Sequence, residues 1–265
     1  HSIFTDAGDQ PNVVPSKASI WFYLRDVTYE GIMDMYDTAN KMAEGASLMT
    51  NTSFKSRILG TAWPRHFNKI IAEQMYENIE DVGLPTWSDN DQKLAVAVQK
   101  EVNSNNINGL ADKLRPIGAP LPYKISGGSD DIGDISWKVP TVTLRFPSNI
   151  PGLQGHHWSN SIAMATPIAH KGANAGAKVV AMTTLDFLLK PDKLDEAKDY
   201  FENIQNKETT YRPMISKNDP PAIYLNKDIM SQYKGQIKEF YFDETKYDTY
   251  LEQLDVEYPV INKNK

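Results

Sequence analysis

Two short stretches at the start of the chain have the spacing of β-strands. In residues 17–25, apolar side chains alternate with side chains of the opposite face, which predicts a half-buried strand. Residues 2–8 have a similar character, and a turn-rich loop joins the two. An apolar stripe of helical period covers residues 29–45, with Gly45 expected to end the helix, and residues 47–59 predict a third strand. The predicted order of these elements is therefore strand, strand, helix, strand.

The pattern changes at residues 60–64, after which helical periods dominate. Residues 168–189 are apolar almost all round, which is typical of a helix buried in a layered α/β core. Residues 139–146 resemble a strand, and residues 103–124 predict irregular structure. A capping box of Ser88 and Asp91 is expected to start one of the helices. The predicted helices cover residues 66–82, 89–104, 168–189, 192–206 and, near the end, about 244–254.

The composition is that of a globular protein, and it restricts the possible chemistry. The chain has 265 residues, 40% hydrophobic and 23% charged, which suffices for one large or two ordinary domains. A net charge of −6 without a large basic patch argues against nucleic acid as a partner. No apolar run is long enough for a membrane span. Because cysteine is absent, any metal must be held by His, Asp or Glu.

The stretch of residues 127–172 holds the most concentrated set of chemically active side chains. His156 and His157 are adjacent, and neighbouring side chains in an extended loop point to opposite sides, so at most one is expected to bind a metal. The alternative is a pair of loop histidines without a metal. The carboxylates of Asp130, Asp131 and Asp134 either form local turns, bind a cation, or orient an imidazole through a hydrogen bond.

Other polar residues remain open to two interpretations from the pattern alone. His170, beside Lys171 at the start of an apolar helix, fits either an anion site or a capping and packing role. Arg25 and Asn12 could together clamp a carboxylate, or each could be a solvent-exposed side chain. His1 and His66 are expected to lie on the surface.

Three segments together resemble one known family. They are GDQPNVVPSKASIWFYLRD, GGSDDIGDISWKVPT and GHHWSNSIAMATPIAHKGANAGAK. In this order they are similar to segments of the zinc-dependent aminoacylase and carboxypeptidase family, and within it to the branch that contains the B subunit of aminobenzoyl-glutamate hydrolase. The resemblance covers roughly residues 1–190.

The resemblance implies an α/β catalytic domain of the zinc-exopeptidase type, with a mixed sheet between helices, and an α+β ferredoxin-like lid. Residues 1–62 then form part of the lid and dimerisation domain, and residues 63–265 form part of the catalytic domain. In the lid, residues 2–8, 17–25 and 47–59 are then expected to form an antiparallel sheet, with the helix of residues 29–45 on one face. Because the chain does not begin with Met, we expect it to be the C-terminal part of a longer protein. The general base and the other metal ligands are expected upstream.

The resemblance also assigns roles to individual residues. His156 takes the place of the last metal-ligand histidine, with His157 as the alternative. Asn12 and Arg25 match lid residues that reach the substrate, and Arg25 is the expected carboxylate clamp. Asp131 and Asp134 match an acidic loop that could support a metal ligand.

The implied activity is metal-dependent cleavage of the amide bond of N-acyl or N-aroyl amino acids. One or two zinc or manganese ions would be the cofactor, and the lid would form a homodimer, with neither nucleic acid nor membrane as partner. The isolated chain is expected to be inactive and cytoplasmic, although an exported protein also fits. The alternative is a non-catalytic dimerisation or binding protein of the same fold.

Overall fold

The computed structural model describes residues 1–119 and 128–259 and divides them into two compact units. Unit 1 contains residues 1–66, 128–139 and 210–222, and unit 2 contains residues 67–119, 140–209 and 223–259. The strands and helices of these ranges are β1 Ser2–Asp6, β2 Ser19–Phe22, α1 Tyr29–Thr50, α2 Lys69–Val82, α3 Asp89–Glu101, α4 Ile132–Ile135, α5 Pro167–Leu189, α6 Pro191–Tyr200, α7 Lys227–Lys238 and α8 Tyr250–Gln253. Two 3₁₀ helices, Trp158–Ala165 and Ala222–Asn226, and a π-helical turn, Phe201–Gln205, complete them.

The first two predicted strands form an antiparallel pair in unit 1. Ser2 lies opposite Phe22, and Phe4 lies opposite Ile20, with an irregularity towards Asp6. Phe22 and Leu24 face α1, where they line an open apolar groove of about 320 Å³ together with Met35, Ala39 and Met42. The predicted pairing of these two strands is therefore confirmed, and α1 lines the groove together with Phe22 and Leu24.

The third predicted strand is wrong in its first residues, because α1 continues past Gly45 to Thr50. The helix ends at Asn51, whose φ of 53° is left-handed, and Thr52 N–H donates to Ser47 O at 2.9 Å. This is the terminating hydrogen bond of a Schellman motif, so Asn51 takes the role that the sequence suggested for Gly45. The remaining residues, 51–59, form no strand in this described region.

The core of unit 2 lies where α3 meets the 3₁₀ helix Trp158–Ala165 and the first turn of α5. The predicted capping box at the start of α3 is confirmed, since Ser88 and Asp91 bond each other's backbone N–H. From this end α3 presents a buried apolar stripe to the rest of the core. The buried residues are Leu94, Ala95, Val98, Leu110, Ile150, Ala163 and Ile168.

Helix α5 is buried on one face only, so the expectation of burial all round is wrong. The face that includes Ile168, Gly176 and Val179 is buried, and α5 packs there against α2, α6 and the 3₁₀ helix. On the opposite side Leu188 and Leu189 are exposed. The sequence pattern suggested a fully buried helix because small residues and exposed leucines both count as apolar.

The strand-like run of residues 139–146 does not join a sheet in the described structure. Its end instead packs against α5 at two glycines. A Cβ on Gly172 would lie 2.0 Å from Pro147 O, and one on Gly176 would lie 3.3 Å from the Phe146 side chain. The end of this segment therefore lies close to α5, and at Gly172 only glycine leaves room for it.

Later parts of the chain agree with the sequence to different degrees. The helix predicted over residues 192–206 is confirmed as α6 with the π-helical turn that continues it. The late helix shrinks to α8, and α7 was not predicted. Residues 103–119 are irregular as expected, whereas residues 120–124 of that prediction, and Gly127, lie outside the described residues.

Across the described ranges the strands form one two-stranded sheet, β1–β2. The zinc-exopeptidase-like class, with its mixed sheet and ferredoxin-like lid, stays a prediction. None of the helices in these ranges combines the length and apolar character needed to cross a membrane.

Candidate functional site

The two adjacent histidines lie in a tight turn of unit 2. His157 N–H donates to Gln154 O at 3.3 Å, which closes a four-residue turn with Gly155 and His156 in its centre. His156 has a φ of 60°, in the left-handed region that favours glycine. Its side chain is exposed, and it forms no hydrogen bond in the part of the chain that the structure describes. The turn thus presents the His156 imidazole to solvent.

His157 has a local structural role. It is the N-cap of the 3₁₀ helix, and its Nδ1 accepts Ser159 N–H at 3.4 Å and lies 2.9 Å from Ser159 Oγ. An Nδ1 that accepts a backbone N–H has no proton, so in the neutral ring Nε2 carries it. The Nε2 lone pair needed by a metal is then absent, whereas nothing in the turn occupies either nitrogen of His156.

Helix α3 and the loop after it form hydrogen bonds with residues 151 and 152, which precede this turn. Buried Gln99 donates from Nε2 to Pro151 O at 2.9 Å, and its Oε1 accepts Gly109 N–H at 2.9 Å. Ser104 Oγ donates to Gly152 O at 2.8 Å. The residues just before the turn are therefore tied to the core of unit 2, a role that sequence spacing did not reveal because these partners lie far apart in the chain.

Asp134 bonds two distant segments of unit 1. Its Oδ2 accepts Trp63 N–H at 3.1 Å, and its Oδ1 accepts Tyr211 O–H at 3.0 Å. Burial and the neighbouring carboxylate raise the pKa of Tyr211. Both oxygens of Asp134 thus have protein donors, and the proposed support of a metal ligand stays untested. Asp131 is exposed at the start of α4 and makes no side-chain capping bond there.

Three further residues of the GDISW motif, Gly133, Ser136 and Trp137, contact the same short segment, residues 63–66. Ser136 Oγ accepts His66 N–H at 3.1 Å, and Trp137 Nε1 donates to Pro64 O at 2.7 Å. A Cβ on Gly133 would lie 1.9 Å from Trp63 O, so only glycine allows this approach. We call the contacts of residues 133–137 with residues 63–66 the GDISW clamp. The motif that the sequence suggested to be an acidic loop therefore binds the backbone of residues 63–66 within unit 1.

Aromatic rings and one ion pair surround the clamp. Trp63 is 2% exposed, and its ring lies 4.9 Å from Tyr29, 5.3 Å from Trp137 and 5.1 Å from Tyr211 between centroids. Asp130 pairs with Arg65 at 2.5 Å. The Asp130 carboxylate is therefore in an ion pair, which the sequence alone could not indicate because Arg65 is remote in the chain.

The other histidines differ from one another. His1 is exposed as expected, and its ammonium donates to Tyr23 O at 3.0 Å. His66 is half-buried, with its ring 4.7 Å from that of Trp137, so its expected surface position is corrected. Burial lowers the pKa of His66. His170 is exposed on α5.

Lys171, next to His170, forms an ion pair with a completely buried carboxylate. Its Nζ lies 2.6 Å from Asp91 Oδ2, and Tyr258 O–H donates to Asp91 Oδ1 at 2.7 Å. Burial raises the pKa of Asp91, but the bonds from Lys171, Ser88 and Tyr258 outweigh it, and the pKa lies below its ordinary value. The AHKG segment therefore joins α5 to α3.

Asn12 and Arg25 are both exposed in unit 1. Asn12 lies in a turn that Val13 N–H closes on Gln10 O at 3.2 Å. The Arg25 guanidinium lies over the Tyr23 ring, 5.2 Å from its centroid. Each is accessible to a ligand, and a shared carboxylate site stays a prediction.

The described residues contain no group of three or more His, Asp or Glu side chains that could hold a metal ion. His156 fits as a single imidazole donor, and one imidazole does not make a zinc site.

The comparisons with known proteins identify a hydrolase relative. No protein-family model and no solved structure matches the chain. The chain is similar to the B subunit of p-aminobenzoyl-glutamate hydrolase from Escherichia coli (strain K12). The two are 26% identical over 244 residues, which covers 84% of the chain and 50% of the relative. The predicted resemblance to this branch is thereby confirmed, and the chain spans about half the length of the relative it matches.

Proposed function

We propose that the chain supplies part of the active site of a metal-dependent amidohydrolase. Its substrates would be N-acyl or N-aroyl amino acids of the aminobenzoyl-glutamate kind. The match to the B subunit of p-aminobenzoyl-glutamate hydrolase carries this proposal. The exposed, left-handed His156 supports it, because strained backbone in a non-glycine residue is concentrated at functional sites.

In this proposal His156 is the metal ligand, and His157 is the cap of the following helix. Zn²⁺ or Mn²⁺ suits an imidazole donor combined with carboxylates. The further ligands and the general base would come from outside the described residues. When bound, such an ion lowers the pKa of a water molecule and polarises the amide carbonyl.

Arg25 and Asn12 would bind the free carboxylate of the amino-acid half. A guanidinium matches a carboxylate with two parallel hydrogen bonds, and an exposed one can reach it without first losing a buried partner. We also propose that unit 1 contains the lid and forms a homodimer. The name of the relative, a subunit, is compatible with assembly into a larger complex.

The test uses the protein at its natural length, with aminobenzoyl-glutamate as substrate and Zn²⁺ or Mn²⁺ added. His156→Ala should lower kcat/KM by more than about 100-fold and weaken metal binding, as loss of a direct ligand exceeds the usual loss of a supporting group. His157→Thr keeps an oxygen for the cap and should retain turnover. His170→Ala, another exposed histidine, is the matched control.

Two outcomes would contradict the proposal. Absence of metal-stimulated hydrolysis by the unmodified protein would favour a non-catalytic dimerisation or binding protein. Loss of metal binding in His157→Thr but not in His156→Ala would exchange the roles of the two histidines.

A further inference from the structure

We propose that Asn160 is a positioning residue that holds His156 in its left-handed turn and so presents the imidazole for metal binding. The inference rests on the proposed role of His156 as a ligand. Asn160 touches neither ring nitrogen of His156, and it acts through the backbone on either side of that residue.

The turn needs an external restraint. His156 occupies its third position with a φ of 60°, as in a turn of type II, where glycine is the usual residue at this position. A side chain with a Cβ is disfavoured there, and the isolated tetrapeptide would readily adopt other conformations. The single backbone hydrogen bond that closes the turn, from His157 N–H to Gln154 O, is 3.3 Å long.

The side chain of Asn160 bridges the two ends of this turn. Its Nδ2 donates to Gln154 O at 2.5 Å and lies 3.3 Å from His157 O, the carbonyls that flank Gly155 and His156. One amide group therefore fixes both ends of the segment, and opening the turn breaks its contact with Gln154.

Asn160 is itself held in place. It lies in the 3₁₀ helix, where its N–H donates to His157 O at 3.1 Å. Its own carbonyl accepts a bond from Asn149 Nδ2 at 3.0 Å. The neighbours Ser159 and Ala163 of the same helix are buried. A rigid element thus supports the amide, and a supporting group of this kind typically changes metal affinity by about 10–100-fold.

The experiment measures two properties of the protein at its natural length. In the metal-free protein, Asn160→Ala should accelerate hydrogen exchange of the His157 amide by at least about 10-fold, since that amide bonds within the turn. In the same variant, Zn²⁺ affinity measured by competition with a chelator should fall by about 10–100-fold. Asn160→Asp, which keeps the shape but loses the N–H donor, should behave alike if the alanine variant folds poorly. Ser161→Ala, an exposed neighbour in the same 3₁₀ helix, is the control and should change neither property.

A double-mutant cycle separates positioning from general stability. In a His156→Ala background, Asn160→Ala should no longer change Zn²⁺ affinity, because the residue through which Asn160 acts is gone. The inference is overturned if His156→Ala weakens Zn²⁺ binding while Asn160→Ala and Asn160→Asp leave it unchanged. If His156→Ala itself leaves Zn²⁺ binding unchanged, the proposed ligand role fails instead, and Asn160 has nothing to position.

Discussion

Gly133 shows at the residue scale why the GDISW motif has its composition. A Cβ on residue 133 would lie 1.9 Å from the carbonyl oxygen of Trp63. That oxygen belongs to the backbone, which cannot move aside as a flexible side chain can. Asp134, Ser136 and Trp137 then bond the same passing segment. In the clamp, Gly133, Asp134, Ser136 and Trp137 each contact a different backbone group of residues 63–66, whereas Ile135 is exposed.

We therefore expect Gly133→Ala to destabilise the protein by about 3 kcal/mol, the upper range for forced overpacking. Chemical denaturation followed by tryptophan fluorescence measures this, since Trp63 and Trp137 both lie in the clamp. Gly128→Ala is the control, because no atom of the described residues lies within 4 Å of its Cβ position. Equal stability of the two variants would mean that Trp63 does not approach the motif this closely.

Local chemistry at single residues was predictable, and long-range chemistry was not. The capping box of Ser88 and Asp91 follows from a spacing of three residues. The partners of Asp134 lie 71 and 77 residues away along the chain, and no local pattern encodes such pairs. For the same reason the sequence suggested cation or support roles for Asp130 and Asp134 and missed Arg65 and Gln99, whose partners Asp130 and Pro151 lie 65 and 52 residues away. Asn160 bonds residues three and six positions away, and it was missed because no capping or turn pattern singles it out.

At the scale of elements, α1 illustrates how weak a single propensity is. Glycine inside a helix costs about 1 kcal/mol relative to alanine, which made Gly45 an expected end. The helix continues because Asn51 supplies the left-handed end with its terminating hydrogen bonds. Residues 47–59 and 139–146 were predicted as strands and form none, for a related reason. Residues with a high β-propensity form a strand only where another strand is available to pair with them.

The position of Gly45 gives a direct test of this helix. Gly45→Ala should stabilise the protein by about 0.5–1 kcal/mol, because alanine is the better helix former and its Cβ would meet no atom of the described residues within 4 Å. Thermal and urea unfolding both measure the change. Gly60→Ala, in a non-helical exposed segment, should have a smaller effect. Destabilisation by Gly45→Ala would instead place a left-handed helix end at that residue.

The ion pair between Asp91 and Lys171 joins α3 to α5. It makes the free energy of unfolding depend on pH in the acidic range. Asp91 has a lowered pKa in the folded protein, so near its ordinary value of 3.8 the unfolded chain binds more protons than the folded one. The contribution of Asp91 to the free energy of unfolding is therefore complete above pH 3.8, and it is lost as the pH falls through the lowered pKa of the folded protein.

We expect Asp91→Asn to cost about 2 kcal/mol at neutral pH, since it removes the charged acceptor of the bonds from Lys171 and Tyr258. Urea unfolding between about pH 6 and pH 3 should then show a smaller loss of stability in the variant than in the unmodified protein. The exposed Asp89→Asn, in the same first turn of α3, should keep the original acid dependence. Parallel pH profiles for Asp91→Asn and the unmodified protein would contradict the role of the pair.

On the scale of the whole molecule, the two units differ in how much apolar surface they bury. No residue of α1, all of which the structure describes, is fully buried, whereas α3 and α5 of unit 2 each contribute several residues to a core. A two-stranded sheet is at best marginally stable by itself, and Phe4 and Trp21 of the β1–β2 pair are exposed. Unit 1 therefore has an apolar surface that the proposed homodimer would cover.

If unit 1 forms this homodimer, its hydrogen exchange should depend on protein concentration. Amides of β1, β2 and α1 should exchange more slowly as concentration rises, while those of α3 and α5 should not change, because only the former would be covered by association. Phe4→Glu should raise the dimer dissociation constant in sedimentation by at least about 10-fold, since a charge would enter an apolar contact. Phe240→Glu alters an equally exposed aromatic residue of unit 2 and serves as the control. A protein that stays monomeric at every concentration would contradict the homodimer. A dimer that Phe240→Glu dissociates and Phe4→Glu does not would place the interface outside unit 1.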